Sequence, residues 1–187
     1  MTSILKVSEI QDPTNSNTAL TINASGNVKI PGSVVQVQYR EYKDAITISN
    51  SGNKQDTGLS HVITPLYANS IIKVEFHIGI FSFYTGNTYA LFASRGGTEI
   101  GIGNANGNRP RSTHRLFKIT TDQNHGQGTS IVVMDAPNST SQLTYKLVGQ
   151  EESNGTAYIN RDGLYNNNNN VHESTTCSTV ILTEIAQ

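Results

Sequence analysis

The chain has 187 residues, enough for one good hydrophobic core with a short appendage and too few for two ordinary domains. Charged residues make up 14% and the net charge is −1, so no general field draws the chain to nucleic acid or to an anionic membrane. A lone cysteine, Cys177, excludes an intrachain disulfide and leaves packing or association with other chains to hold the fold. Near the N-terminus, Glu9 and Asp12 follow a very short apolar stretch, so no secretory h-region is present, and no apolar window approaches a transmembrane helix. The expectation is a chain made in a cytoplasm, with no nucleic-acid partner and no membrane insertion.

The first stretch reads differently from the rest. Ile4, Leu5 and Val7 form a short apolar plug, 11–16 is turn-like, and 19–22 and 28–30 are two strand-like runs around Ser25-Gly26-Asn27. Such a segment has too little apolar area to fold alone. Fully extended, about thirty residues span on the order of 100 Å, enough to reach another subunit. Pro31-Gly32 punctuates the chain. Residues 1–32 therefore read as an attachment arm and 33–187 as the head domain.

Short strands then follow at close intervals. Val35, Val37 and Tyr39 alternate with Gln36 and Gln38, 45–49 is a second run, and 59–63 leads into a turn at Pro65. Ile72, Val74, Phe76, Ile78 and Ile80 alternate with Lys73, Glu75 and His77, the longest period-two pattern in the chain, which predicts a central strand. Runs at 88–93, 98–102, 115–121, 129–134, 143–148, 156–161 and 178–185 complete the series. The polar turn at 150–155 predicts that 143–148 and 156–161 form a hairpin, paired with the closing run 178–185. No stretch of ten or more residues has a capped 3.6 period. About ten short strands with Gly, Asn and Pro turns predict an all-β antiparallel sandwich or jelly roll.

Motifs for catalysis are missing. GIGNANG at 101–107 has GxGxxxG spacing, is followed by Pro110 and opens no helix, so it reads as a turn and not a dinucleotide loop. His61, His77, His114, His125 and His172 occur singly, with no paired metal-ligand spacing, and the sequence gives no reason to expect a metal or other cofactor. Carboxylates such as Asp135, Glu151 and Glu184 sit in no recognisable acid–base setting, and GxSxG is absent. The expectation is a protein that is not an enzyme. Arg109, Arg111 and Arg115, with His114 and Lys118, form the one basic concentration, and guanidinium forks of this kind suit carboxylates of an acidic polysaccharide or partner. Tyr158 and Tyr165 are aromatic platforms that a sugar could use, and the poly-Asn run 166–170 reads as a solvated loop.

SILKVSEIQDPTNSNTALTINASGNVKIPGSVVQV at 3–37 resembles the opening of small structural proteins of tailed bacteriophages, particularly marine and cyanobacterial ones. ALFASRGGTEIGIGNANGNRPRST at 90–113, DAPNSTSQLTYKL, GTAYINR and STVILTEIA resemble the sandwich domain of the same proteins. The resemblance implies a jelly-roll head of the tumour-necrosis-factor and C1q type, a homotrimer joined to an N-terminal anchor on the virion surface. Under it, Ile4, Leu5, Val7, Ile10, Leu20, Ile22, Val28 and Ile30 become the anchoring residues toward the major capsid protein or another virion protein. Tyr145, Tyr158, Val180 and Leu182 become candidates for the trimer interface. Arg109, Arg111 and Tyr165 become candidates for contact with a partner or a host-surface glycan. Two roles are implied: a capsid decoration (cement) protein, favoured by the short chain and the absence of shaft repeats, and the receptor-binding head of a tail or capsid fibre.

Overall fold

A computed structural model of the chain describes residues 6–14, 18–49, 52–83, 88–117, 126–151, 155–163 and 174–187. Among these residues the structure is all β. Three short strands come first: β1 (Glu9–Gln11), β2 (Thr18–Ile22) and β3 (Val28–Lys29). They are followed by β4 (Val34–Tyr42), β5 (Ile46–Ser49), β6 (Gln55–Ile63), β7 (Ile71–Phe83), β8 (Thr88–Arg95), β9 (Thr98–Ile100) and β10 (His114–Phe117). The chain closes through β11 (Gln127–Asp135), β12 (Leu143–Glu151), β13 (Thr156–Ile159) and β14 (Ser178–Ile185).

Two antiparallel sheets make the head. In one, β4, β14, β7 and β11 lie side by side, with β13 and β5 continuing along the far half of β7. In the other the order is β10, β8, β12, β6, with β9 also on β8. Counting the eight principal strands along the chain, the first sheet holds the first, eighth, third and sixth, and the second holds the fifth, fourth, seventh and second. That is a jelly roll, in which successive strands pass from sheet to sheet apart from the fourth and fifth, β8 and β10, which pair with each other. The 13-residue β7 is central, as its alternation predicts: Ile72 pairs with Asp135 of β11 on one edge and Glu184 of β14 on the other.

The core lies between the sheets. Ile72, Val74, Phe76 and Ile78 of β7, with Val180 and Leu182 of β14, face Leu59 of β6, Tyr89 and Leu91 of β8, and Tyr145 and Leu147 of β12. Tyr89 packs edge-on to Phe81 with centroids 4.7 Å apart, and it lies so close to β12 that a Cβ on Gly149 would sit 2.4 Å from its ring. Only glycine allows that approach.

One pairing expectation is corrected. β12 and β13 do not form a hairpin: β12 pairs with β6 and β8, whereas β13 pairs with β5 and β7 in the opposite sheet. β14 pairs with β4 and β7 and with neither of them. Period-two alternation fixes which side of a strand is buried, and it is silent about which strand lies alongside.

Buried polar groups fix the connections. The Glu184 carboxylate accepts the amides of Leu66 (2.9 Å) and Tyr67 (3.0 Å) just after Pro65, together with Gln36 Nε2 at 2.5 Å. Asn160, in the left-handed region at φ 66, donates to the carbonyls of Tyr42 (2.7 Å) and Asp44 (3.0 Å) and accepts from Ser178 Oγ at 2.6 Å. Asp135 accepts both contacts of Arg95 Nη1, at 2.6 and 2.8 Å, and the Tyr145 hydroxyl at 2.7 Å. That last cluster joins β11 of one sheet to β8 and β12 of the other. Burial, with the neighbouring Asp135 carboxylate adding to it, pushes the Tyr145 hydroxyl far above the ordinary phenol range, so it stays a donor.

Candidate functional site: two unburied apolar faces and a basic hollow

β4 has an unusual register. Its apolar residues pair with the outward residues of β14, Tyr39 with Ile181 and Val37 with Thr183, while Gln36 and Gln38 sit opposite the fully buried Glu184 and Leu182. The alternation read from the sequence is therefore inverted along this stretch: Gln36 and Gln38 take the inward phase, with Gln36 half-buried, and Val37 and Tyr39 face solvent. Tyr39 is 67% exposed and Val37 51%. On the far side of the same outer face, Val132 and Met134 of β11 pair with Glu75 and Lys73 of β7 and are each 53% exposed. Between the two apolar flanks runs a charged strip in which Glu75 contacts Lys73 at 3.0 Å and His77 at 3.6 Å. Exposed apolar residues scattered singly need no explanation, whereas two flanks aligned on one sheet face do.

The interface residues drawn from the resemblance are corrected accordingly. Tyr145, Val180 and Leu182 are fully buried inside their own sandwich and are core residues, because they occupy the inward phase of β12 and β14. Tyr158 is on the outward side of β13, half-buried beneath the Arg161 guanidinium at 3.8 Å from its ring centroid. On this face the exposed apolar residues are Val37, Tyr39, Val132 and Met134, with half-buried Ile181 beside Tyr39.

The N-terminal segment has its own amphipathic sheet, in the order β1-β2-β3. Ile10 pairs with Leu20 and Ile22 pairs with Val28, so these four share one face, while Thr21 pairs with Glu9 and Lys29 on the other. Ile10 and Val28 are 49% and 46% exposed, and Val7 and Ile30 are exposed as well. This segment doubles back on itself, so its described part falls well short of the reach that full extension would allow. Its root is fastened to the head: Gly32 N–H donates to the Ala186 carbonyl at 2.7 Å, and Ala186 N–H returns to Ser33 at 2.9 Å. Ile4 and Leu5 lie outside the described residues.

Of the basic residues, Arg109 is exposed on the 101–113 loop, and Arg111 reaches a hollow on the outer face of the second sheet. Tyr165, the poly-Asn run, Lys118, His125 and His172 lie outside the described residues. Among the described residues no group of three His, Cys, Asp or Glu side chains could hold a metal ion. His61 and His114 are held below the ordinary imidazole range, chiefly by burial and, for His61, secondarily by Arg40. Cys177 is an exposed free thiol.

No family model matches the chain, and no curated protein matches it. Among solved structures it is similar to the infectious bursal disease virus VP2 subviral particle, with a TM-score of 0.36 and 11% identity. The match covers 98% of this chain and 42% of the VP2 chain, so the chain spans about two-fifths of that protein's length.

Proposed function

We propose that the chain is a non-enzymatic structural protein of a tailed-phage virion, a homotrimeric decoration protein whose 1–32 arm attaches it to the major capsid protein or another particle protein. The observation that carries the reading is the arm sheet, which presents Ile10, Leu20, Ile22 and Val28 on one face, with Ile10 and Val28 49% and 46% exposed. An amphipathic sheet too small for its own core is stabilised by docking on a second surface. The head supports the trimer. A closed ring requires two different patches on each subunit, one meeting the other around the axis, and the β4/β14 flank and the β11 flank are two such patches on one sheet face. The sequence resemblance supplies the phage setting.

The test is stoichiometry. In purified particles, mass spectrometry should find this chain at a copy number near that of the major capsid protein. A handful of copies per particle would instead support a fibre head that contacts host glycans.

A further inference from the structure

The outer face of the second sheet carries a hollow made by one small residue. Ala90 of β8 lies between two long polar neighbours in the same cross-strand row, paired with Arg115 of β10 on one side and Gln150 of β12 on the other. A strand position normally fills the space over its sheet with its side chain, and alanine leaves it empty. The next outward residue of β8, Phe92, forms an apolar floor with the Lys54 ammonium 3.9 Å from its ring centroid. The 101–113 loop closes the third side with Pro110 and Arg111. The resulting cavity has a volume of ≈ 210 Å³.

Its chemistry is asymmetric. Arg111 Nε donates to the Gly103 carbonyl at 2.5 Å, which fixes the side chain and leaves the two terminal nitrogens as the groups it offers a ligand. Arg115 donates to Thr88 Oγ1 at 2.8 Å. Lys54 is paired with Glu99, so its charge is already matched. Gln150 Nε2 donates to the Gly52 carbonyl at 2.9 Å, so what it can present is its carbonyl oxygen, an acceptor for a hydroxyl. Glu151 is 1% exposed and lines the same hollow, so its carboxyl group sits with Arg111 and Arg115 around the cavity. A guanidinium fork, a hydroxyl acceptor and a small apolar floor in a volume below the ~300 Å³ of drug-sized pockets suit one polar ring carrying a single negative charge.

We infer that this hollow binds an acidic sugar residue, with its carboxylate on Arg111, a hydroxyl on Gln150 and its C–H face against Ala90 and Phe92. The site uses neither the arm nor the outer face of the first sheet, so it stands or falls separately from the attachment and the trimer.

The experiment titrates the full chain by calorimetry with a galacturonate trisaccharide, a glucuronate-bearing oligosaccharide and an N-acetylneuraminate-capped oligosaccharide. Maltotriose and sodium acetate serve as the neutral sugar and the bare carboxylate. Two variants accompany it: Ala90→Leu, which fills the hollow without touching a charge, and Arg111→Ala, each checked for an unchanged thermal midpoint. The expected result is saturable binding of at least one acidic sugar, weakened at least about tenfold in both variants, with maltotriose and acetate at least about tenfold weaker. Binding that survives Ala90→Leu would overturn the location. Equal binding of acetate would reduce the site to a plain anion contact, and equal binding of maltotriose would remove the need for Arg111. No binding of any acidic sugar to about 10 mM would overturn the inference outright.

Discussion

At the scale of single residues, the fold depends on polar groups that serve several strands at once. Asp135, Arg95 and Tyr145 come from three strands and both sheets, and the side chains of Arg95 and Asp135 are only 28% and 9% exposed. Replacing Asp135 with Asn removes the charge that Arg95 needs while keeping the shape. Urea denaturation should register a loss of about 3 kcal/mol, because breaking a buried pair leaves its partner uncompensated. A loss within about 0.5 kcal/mol would mean that the pair is not a tie between the sheets. Titration offers a second check. His114 is lowered from its ordinary value of 6.5 by burial, and its Nε2 lies 3.1 Å from Thr129 Oγ1. The unfolded chain therefore takes up a proton at a higher pH than the folded one. Stability is full above that ordinary value and falls progressively as the pH drops from there through the lowered folded value. His114→Gln should lose less stability than the parent between neutral pH and mild acid, as read by the thermal midpoint; an equal loss would place the sensitivity elsewhere. None of these clusters is legible in the sequence, since Arg95 and Asp135 stand far apart in the chain and nothing in either neighbourhood points to the other.

At the scale of elements, strand positions were legible and their partners were not. The closing strand runs over 178–185 as its apolar pattern predicts, and β7 is central as its long alternation predicts. The pairing of 143–148 with 156–161 failed because the connection between them crosses from one sheet to the other, which a polar turn does not reveal. β4 is the more instructive case. Val35, Val37 and Tyr39 alternate with glutamines just as a half-buried strand should, and the natural expectation is that the apolar set faces inward. Its register against β14 puts the glutamines on the inward side, where half-buried Gln36 meets Glu184 while Gln38 stays exposed at the sheet edge. That inversion follows only from pairing, and it leaves β4 with a solvent-facing apolar side at the edge of a sheet, a liability that proteins manage by covering it. Val37→Lys with Tyr39→Lys should therefore leave the circular dichroism of the head unchanged while dissociating the oligomer. An unfolded variant would show instead that these side chains serve the monomer's own packing. Ile10→Asp with Val28→Asp should leave both the fold and the oligomer intact and abolish co-purification with particles; retained attachment would place the anchor outside the arm sheet.

At the scale of the whole molecule, the sandwich buries its own core, and among the described residues it leaves an apolar face on the head and another on the arm outside that core. The proposed association with other subunits would cover both. The fold class was legible from the many short strands and the lack of any helical period. The faces were not, because alternation alone cannot say which side of an edge strand meets water. The most direct test is the mass of the folded full-length chain in solution by multi-angle light scattering. A value three times the 20.3 kDa of the single chain is expected, falling to the single-chain mass for the Val37→Lys, Tyr39→Lys variant. A folded parent chain of single-chain mass at every concentration tested would contradict it, and would leave the apolar face of the head without an explanation in self-association.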